Sequence, residues 1–229
     1  MKLSRHILSA AALVACFAGS ANAAVISLNF EGINATYPSG YAFVQNFYNG
    51  GTSSDSTSGT NYGITFTSNA QAICLNSLTV TCSNTSRGGL APGSDQGGLF
   101  FLSGTETFMN VAGGFDTGFS FNYSADNEGG SVSAYDGLNG TGNLLATLAL
   151  PTNGGSCPGY DADFCPFTAA GVGFAGTALS INFAGALNQI VFDDVTFDSI
   201  TPGIPEPSTY AMLGLGLIGL AFAARRKQA

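Results

Sequence analysis

Hydrophobic and polar residues alternate with a period of two along much of the chain. Ile26, Leu28 and Phe30 alternate with polar neighbours, and the same pattern returns at 119–124 and 179–183. Because successive side chains of a β-strand point to opposite faces, this alternation predicts half-buried strands. Further strands are predicted at 64–67, 98–102, 131–135, 144–150 and 190–197.

Turn-forming residues separate these segments, and none of them has the pattern of a long capped helix. Asp136-Gly137 and Asn139-Gly140 favour a hairpin connection, and the Ser, Thr and Gly residues of 51–63 predict a mobile loop. Many short, regularly spaced strands are typical of two packed sheets. The prediction is therefore an all-β fold, an antiparallel β-sandwich of jelly-roll type over residues 24–203, here called the body.

The first 23 residues have the pattern of a secretory signal peptide. Lys2 and Arg5 precede an apolar stretch, and Ala21-Asn22-Ala23 offers small residues to signal peptidase. We expect a signal helix that is removed before Ala24. An uncleaved anchor is the alternative, but the apolar stretch is short for a membrane span.

The last 26 residues, 204–229, combine three features in a fixed order. Pro205-Glu206-Pro207-Ser208 comes first, an apolar run follows, and Arg225-Arg226-Lys227 ends it. The two prolines fix φ and remove two N–H donors, so this motif should stay extended outside the bilayer. One short transmembrane helix is expected at about 207–224, with the cations on the cytoplasmic side.

This combination resembles the PEP-CTERM sorting tail of exported proteins of Gram-negative bacteria. In that family exosortase, a membrane-embedded cysteine transpeptidase, processes the tail at or near the Pro-Glu-Pro motif. The resemblance implies an inner-membrane intermediate, followed by delivery to the cell surface or the extracellular space. An ordinary tail anchor is the alternative interpretation.

The charge of the body excludes several classes of function. Five of the six cations and one of the 14 carboxylates lie at the ends, so the body keeps Arg87 against 13 carboxylates, a net charge of −12. One arginine cannot form a basic patch for nucleic acid. The only histidine, His6, lies in the signal segment. Catalysis that needs histidine or lysine is therefore not expected in the body.

Four cysteines remain in the body, and they form two pairs with equal spacing. We expect disulfides Cys74–Cys82 and Cys157–Cys165, because exported proteins meet an oxidising compartment. Two other pairings are open. A four-cysteine metal site is disfavoured, since its ligands are usually two to four residues apart.

Two segments of the body, 135–145 and 188–197, resemble recurring blocks of PEP-CTERM ectodomains, which are similar to lectin-like and carbohydrate-binding β-sandwiches. In jelly-roll binding modules a late aspartate commonly shares a structural Ca²⁺ with an acidic residue of the first strand. By that resemblance, Glu31 with Asp193 or Asp194 is expected to bind Ca²⁺ through oxygen ligands. No other cofactor is expected, and strand-end hydrogen bonding is the alternative role for these carboxylates.

The favoured interpretation is a non-catalytic surface or matrix protein that associates with exopolysaccharide or a biofilm. Glycan binding would use exposed aromatic rings, and Tyr41, Tyr48, Tyr62 and Tyr160 lie in loop-like contexts. A secreted glycoside hydrolase with Glu106 or Glu128 as an acid is one alternative. A permanently anchored periplasmic binding protein, whose tail is never cut, is another.

Overall fold

A computed structural model describes residues 25–34, 40–75, 96–155, 167–185 and 189–202. The predicted signal helix and the predicted membrane helix at 207–224 lie outside these ranges. Within them, helical structure is limited to two 3-10 turns, Phe47–Asn49 and Leu138–Gly140, and no helix is both long and apolar enough to cross a bilayer. The strands of the described ranges are β1 (Ser27–Leu28), β2 (Tyr41–Phe43), β3 (Ile64–Phe66), β4 (Gln71–Cys74), β5 (Gly97–Phe100), β6 (Glu106–Phe115), β7 (Gly118–Ala125), β8 (Gly130–Tyr135), β9 (Leu144–Leu150), β10 (Thr168–Gly173), β11 (Ala178–Gly185) and β12 (Ile190–Phe197).

These strands form two antiparallel sheets. The larger sheet has the order β10-β7-β12-β5-β4-β2, with β1 paired to β12, and the smaller has the order β3-β6-β11-β8-β9. The prediction of an all-β fold with two antiparallel sheets is thus confirmed for the described part of the body. The strands β2, β4, β6 and β10 were not predicted from the alternation.

The last eight strands, β5 to β12, pair as the two arms of a long hairpin do. The first strand pairs with the last, the second with the second last, and so on inward. β5 pairs with β12, β6 with β11, β7 with β10, and β8 with β9. Cross-pairs β7–β12 and β8–β11 then join the halves within each sheet. This strand order is that of a jelly roll, in which two sheets pack over a shared core.

The core between the sheets is rich in phenylalanine. Phe121 of β7, Phe192 of β12 and Phe183 of β11 come from both sheets and meet edge to face. The ring centroids of Phe183 and Phe192 lie 4.9 Å apart, and those of Phe121 and Phe192 lie 5.5 Å apart. Aromatic pairs in this geometry contribute roughly 0.5–1.5 kcal/mol beyond the burial of their area.

The outer face of the larger sheet is also buried along its central strands, which the alternation did not predict. Every residue of β7 and β12 is buried, including the polar residues Ser120 and Ser124, which are 0% exposed. A second apolar cluster, Ile73, Leu75, Phe100 and Val191, lies on this outer face. Period two identifies which residues share a face, but it does not reveal whether both faces are covered.

The loop that follows the first 3-10 turn is held by its own hydrogen bonds. Ser53 Oγ and Thr57 Oγ1 both donate to the carbonyl of Ile33, at 2.8 and 2.7 Å. Thr52 and Ser58 form an isolated antiparallel bridge. The segment 51–63 is therefore a folded loop with defined contacts, rather than the mobile loop predicted from its composition.

Candidate functional site

The carboxylate of Glu31 links the end of the first strand to the start of β5. Its Oε1 accepts hydrogen bonds from the backbone amides of Gln96 and Gly97, at 2.6 and 2.5 Å. Gly97 allows this close approach, since a Cβ at that position would lie 2.3 Å from the carbonyl oxygen of Phe30. Glu31 thus has a structural role of its own, as the acceptor for two amides at a strand end.

Asp193 and Asp194 are both 0% exposed, although alternation would place only one of them on each face. The register between β12 and β7 shifts between Asp193 and Thr196, so β12 carries one extra residue there. Asp194 sits in this bulge with a left-handed φ of 50°. Asn122, on the outer face of β7, donates from Nδ2 to Asp194 Oδ2 at 3.0 Å. The bulge therefore directs Asp194 toward the outer face of the larger sheet.

Burial raises the pKa of Asp194 from 3.8 to about 6, and the hydrogen bond from Asn122 offsets part of that rise. The other oxygen, Asp194 Oδ1, has no hydrogen-bond partner in the described part of the protein. The backbone amide of Asp194 donates to Asp193 Oδ1 at 2.7 Å. A buried carboxylate with this little compensation keeps its proton at pH values where an exposed aspartate has already lost it.

The calcium site expected from the resemblance is not assembled by these carboxylates alone. Within the described ranges no three His, Cys, Asp or Glu side chains are grouped so as to hold a metal ion. Glu31, Asp193 and Asp194 each have a distinct role described above. Calcium binding by Glu31 with Asp193 or Asp194 stays a prediction.

Cys74 ends β4 and is disulfide-bonded. Its partner lies outside the described residues, as do Cys82, Cys157 and Cys165. The connectivity therefore stays a prediction.

Glu106 and Glu128 are the two acids considered for a glycosidase. Glu106 opens β6, and its Oε2 accepts a hydrogen bond from Asn182 Nδ2 at 2.7 Å. Glu128 is an exposed residue of the β7–β8 connection. No contact in the described part of the protein links the two carboxylates.

A cavity of about 190 Å³ lies between the first strand and the folded 47–62 segment. Ser27, Asn29 and Glu31 line one side of it, while Leu28 and Phe30 face the core. β1 is fixed here by β12, because Ser27 pairs with Thr196 and accepts a hydrogen bond from its Oγ1 at 3.0 Å. The polar side of the cavity is therefore fixed to the larger sheet through β1.

The opposite side of the cavity is aromatic. Phe47 and Tyr48 of the first 3-10 turn line it together with Tyr62. Tyr48 Oη accepts a hydrogen bond from the amide of Phe30 at 3.0 Å, which joins the two sides. Gly59 lies against the ring of Phe47, where a Cβ would be 2.2 Å from Cε1. This close packing holds the loop in place over the turn.

Of the tyrosines considered for glycan binding, two meet at this cavity. Tyr62 is 38% exposed, whereas Tyr48 is only 4% exposed. Tyr41 is exposed on β2 but does not line the cavity, and Tyr160 lies outside the described residues. Sequence reasoning missed Ser27 and Asn29, although their alternation with Leu28 and Phe30 already placed them on one face.

Residues 203–227 match the PEP-CTERM protein-sorting motif. The PEP-CTERM segment includes Pro205, Glu206, Pro207 and Ser208, and it extends through Arg225, Arg226 and Lys227. The match supports an exosortase-sorted protein that is exported and directed to the cell surface by way of the membrane.

No curated protein matches this chain in sequence. Among solved structures, the K1 cleaved adhesin domain of Lys-gingipain from Porphyromonas gingivalis W83 is 14% identical, with a TM-score of 0.37. The alignment covers 76% of this chain and 98% of that one. At this TM-score the likeness carries no argument about function.

Replacing Asp194 with Asn should remove one pH-dependent component of stability. The pKa of Asp194 is higher in the folded state, so the stability that its proton provides is complete below about pH 4 and is lost as the pH rises to about 6. Relative to Asp194→Asn, the wild-type free energy of unfolding should fall by about 2 kcal/mol between pH 4 and pH 6. Asparagine tolerates the left-handed φ, so the bulge is kept.

Chemical denaturation at several pH values, in the presence of a chelator, measures this difference. Asp198→Asn is the matched control, because Asp198 is also left-handed, with a φ of 58°, but is only partly buried. The control should retain the wild-type change between pH 4 and pH 6. An Asp194→Asn protein with the same pH dependence as wild type would contradict the assignment.

The calcium prediction is tested by thermal melting of the wild-type protein with calcium and with chelator at neutral pH. Calcium should raise the midpoint of wild type, because a bound cation favours the ionised carboxylates, and it should raise that of Glu31→Gln less. Glu106→Gln is the control for loss of one charge elsewhere. An unchanged wild-type midpoint would exclude the calcium site.

Proposed function

We propose that this chain is a non-catalytic surface or extracellular-matrix protein, sorted by exosortase at Pro205-Glu206-Pro207, whose β-sandwich body associates with exopolysaccharide in a biofilm. The observation that carries the proposal is the match of residues 203–227 to the PEP-CTERM protein-sorting motif. Signal peptidase and exosortase are the processing partners. The membrane holds the protein only transiently, before the tail is processed.

The chemistry of the tail supports this order of events. Pro205 and Pro207 cannot donate backbone hydrogen bonds, so neither helix nor sheet readily hides the peptide bonds between them. The apolar run that follows suits a bilayer, and the terminal cations stay on the cytoplasmic side. The motif is then presented outside the membrane, within reach of a membrane-embedded enzyme.

The body suits a role outside the cell. Its predicted net charge of −12 favours solubility and repels other anionic surfaces. The described part of the body is a layered sandwich whose inner and outer apolar clusters are both buried. The expected disulfides of Cys74, Cys82, Cys157 and Cys165 would further restrict its unfolded state.

Intact-mass analysis of the surface form, with and without exosortase, tests the proposal. In the presence of the enzyme the protein should lack residues 1–23 and the terminal Arg225-Arg226-Lys227. The double variant Pro205→Ala/Pro207→Ala should retain the terminal cations, because its motif can join the helix. Pro202→Ala, a proline change outside the motif, should be processed normally.

A surface form that ends in its encoded Ala229 while exosortase is active would overturn the proposal. That result would favour a permanently anchored periplasmic binding protein.

A further inference from the structure

We propose that the cavity between β1 and the 47–62 segment binds one neutral sugar ring of a polysaccharide. The proposal deepens the polysaccharide association suggested above and rests on it. It joins three features of the cavity: a partly exposed tyrosine, a set of polar residues that line the same space, and a size that admits a single ring.

The aromatic feature is Tyr62. Its ring is partly exposed, and its centroid lies 6.2 Å from that of the buried Tyr48, with a tilt of 32°. The backbone amide of Tyr62 also donates to the carbonyl of Tyr48 at 2.9 Å. The backbone of Tyr62 is therefore fixed beside Tyr48, and its ring packs against the buried Tyr48 ring. An amphipathic ring of this kind suits the apolar C–H face of a pyranose.

The polar feature is the pair Asn29 and Glu31. Asn29 Oδ1 accepts a hydrogen bond from the amide of Glu31 at 3.3 Å, which orients the side-chain amide. Asn29 Nδ2 has no hydrogen-bond partner among the described residues, so a donor is available at the cavity wall. Glu31 is fixed through Oε1 and contributes a carboxylate to the same wall.

Sugar hydroxyls match this pair, because each hydroxyl can donate and accept. One hydroxyl can accept from the amide of Asn29 while its neighbour donates to the carboxylate of Glu31. The hydroxyl groups of Ser27 and Thr60, which also line the cavity, can extend this pattern. Ligand sites generally combine aromatic surface with a few convergent polar groups of this kind.

Size and charge narrow the ligand class. About 190 Å³ is below the roughly 300–1,000 Å³ of pockets for drug-sized molecules, so the cavity suits one ring. The carboxylate of Glu31 and the negative body disfavour uronates and sulfated sugars. A neutral terminal or branch residue of a polysaccharide is the ligand that fits both constraints.

Saturation-transfer NMR on the mature protein tests the site, with D-glucose, D-galactose, D-mannose and N-acetyl-D-glucosamine as probes and D-glucuronate as the anionic comparison. At least one neutral sugar should bind more tightly than glucuronate. Tyr62→Ala and Asn29→Ala should each weaken that binding by about tenfold or more. Tyr62→Phe should retain it, because the ring is kept.

Tyr41→Ala is the matched control, since Tyr41 is 47% exposed on β2 and does not line the cavity. Binding should be unchanged in this variant. Melting midpoints near wild type establish that each variant is folded.

Absence of binding by all four neutral sugars would overturn the proposed site, as would equal losses in Tyr62→Ala and Tyr41→Ala. The failure of the site is distinguishable from the failure of the proposed function. A processed tail without sugar binding removes the cavity assignment alone, whereas sugar binding with an unprocessed tail removes the sorting assignment alone.

Discussion

The pairing of β12 with strands from distant parts of the chain is the constraint on which the rest of the structure depends. β12 is hydrogen-bonded to β7 and β5 within the larger sheet, and β1 pairs with it as well. All eight of its residues are buried. The larger sheet therefore cannot be completed until the last strand of the body has docked. Such non-local pairing is costly in loop-closure entropy and is typical of slowly folding β-sandwiches.

One wall of the candidate binding cavity is held in place by β12. Leu28 pairs with Val195, and the amide of Phe197 donates to the carbonyl of Ile26 at 3.0 Å, so β1 lies fixed along β12. The polar wall of the cavity belongs to this segment, since Ser27 lies in β1 and Asn29 and Glu31 follow it directly. The PEP-CTERM segment begins at residue 203, six residues after β12 ends. The proposed sugar site and the sorting segment are thus both connected to the central strand.

The sequence was most informative where one face of a strand is apolar and the other polar, as at Leu28 and Phe30. There, period two predicted both the strand and the direction of its side chains. It failed for Gln71–Cys74, in which all four residues are buried, and for Thr168–Gly173, whose small residues show little contrast. Alternation needs a difference between the faces, and these strands do not offer one.

The placement of the site was less predictable than the fold. The bulge at Asp194 shifts the register by one residue, and no local pattern in the sequence signals this shift. The cavity joins Asn29 to Tyr62, which are far apart in sequence, and only the loop contacts bring them together. The PEP-CTERM segment, in contrast, was recognisable because its three parts act through local composition and order.

Native-state hydrogen exchange of the mature protein tests the central role of β12 most directly. The amides of Val191, Phe192 and Val195 should exchange only through global unfolding, whereas those of the edge strand β9 should exchange faster. Exchange of β12 as fast as that of β9, in a protein whose β6–β11–β8 amides stay protected, would contradict this account.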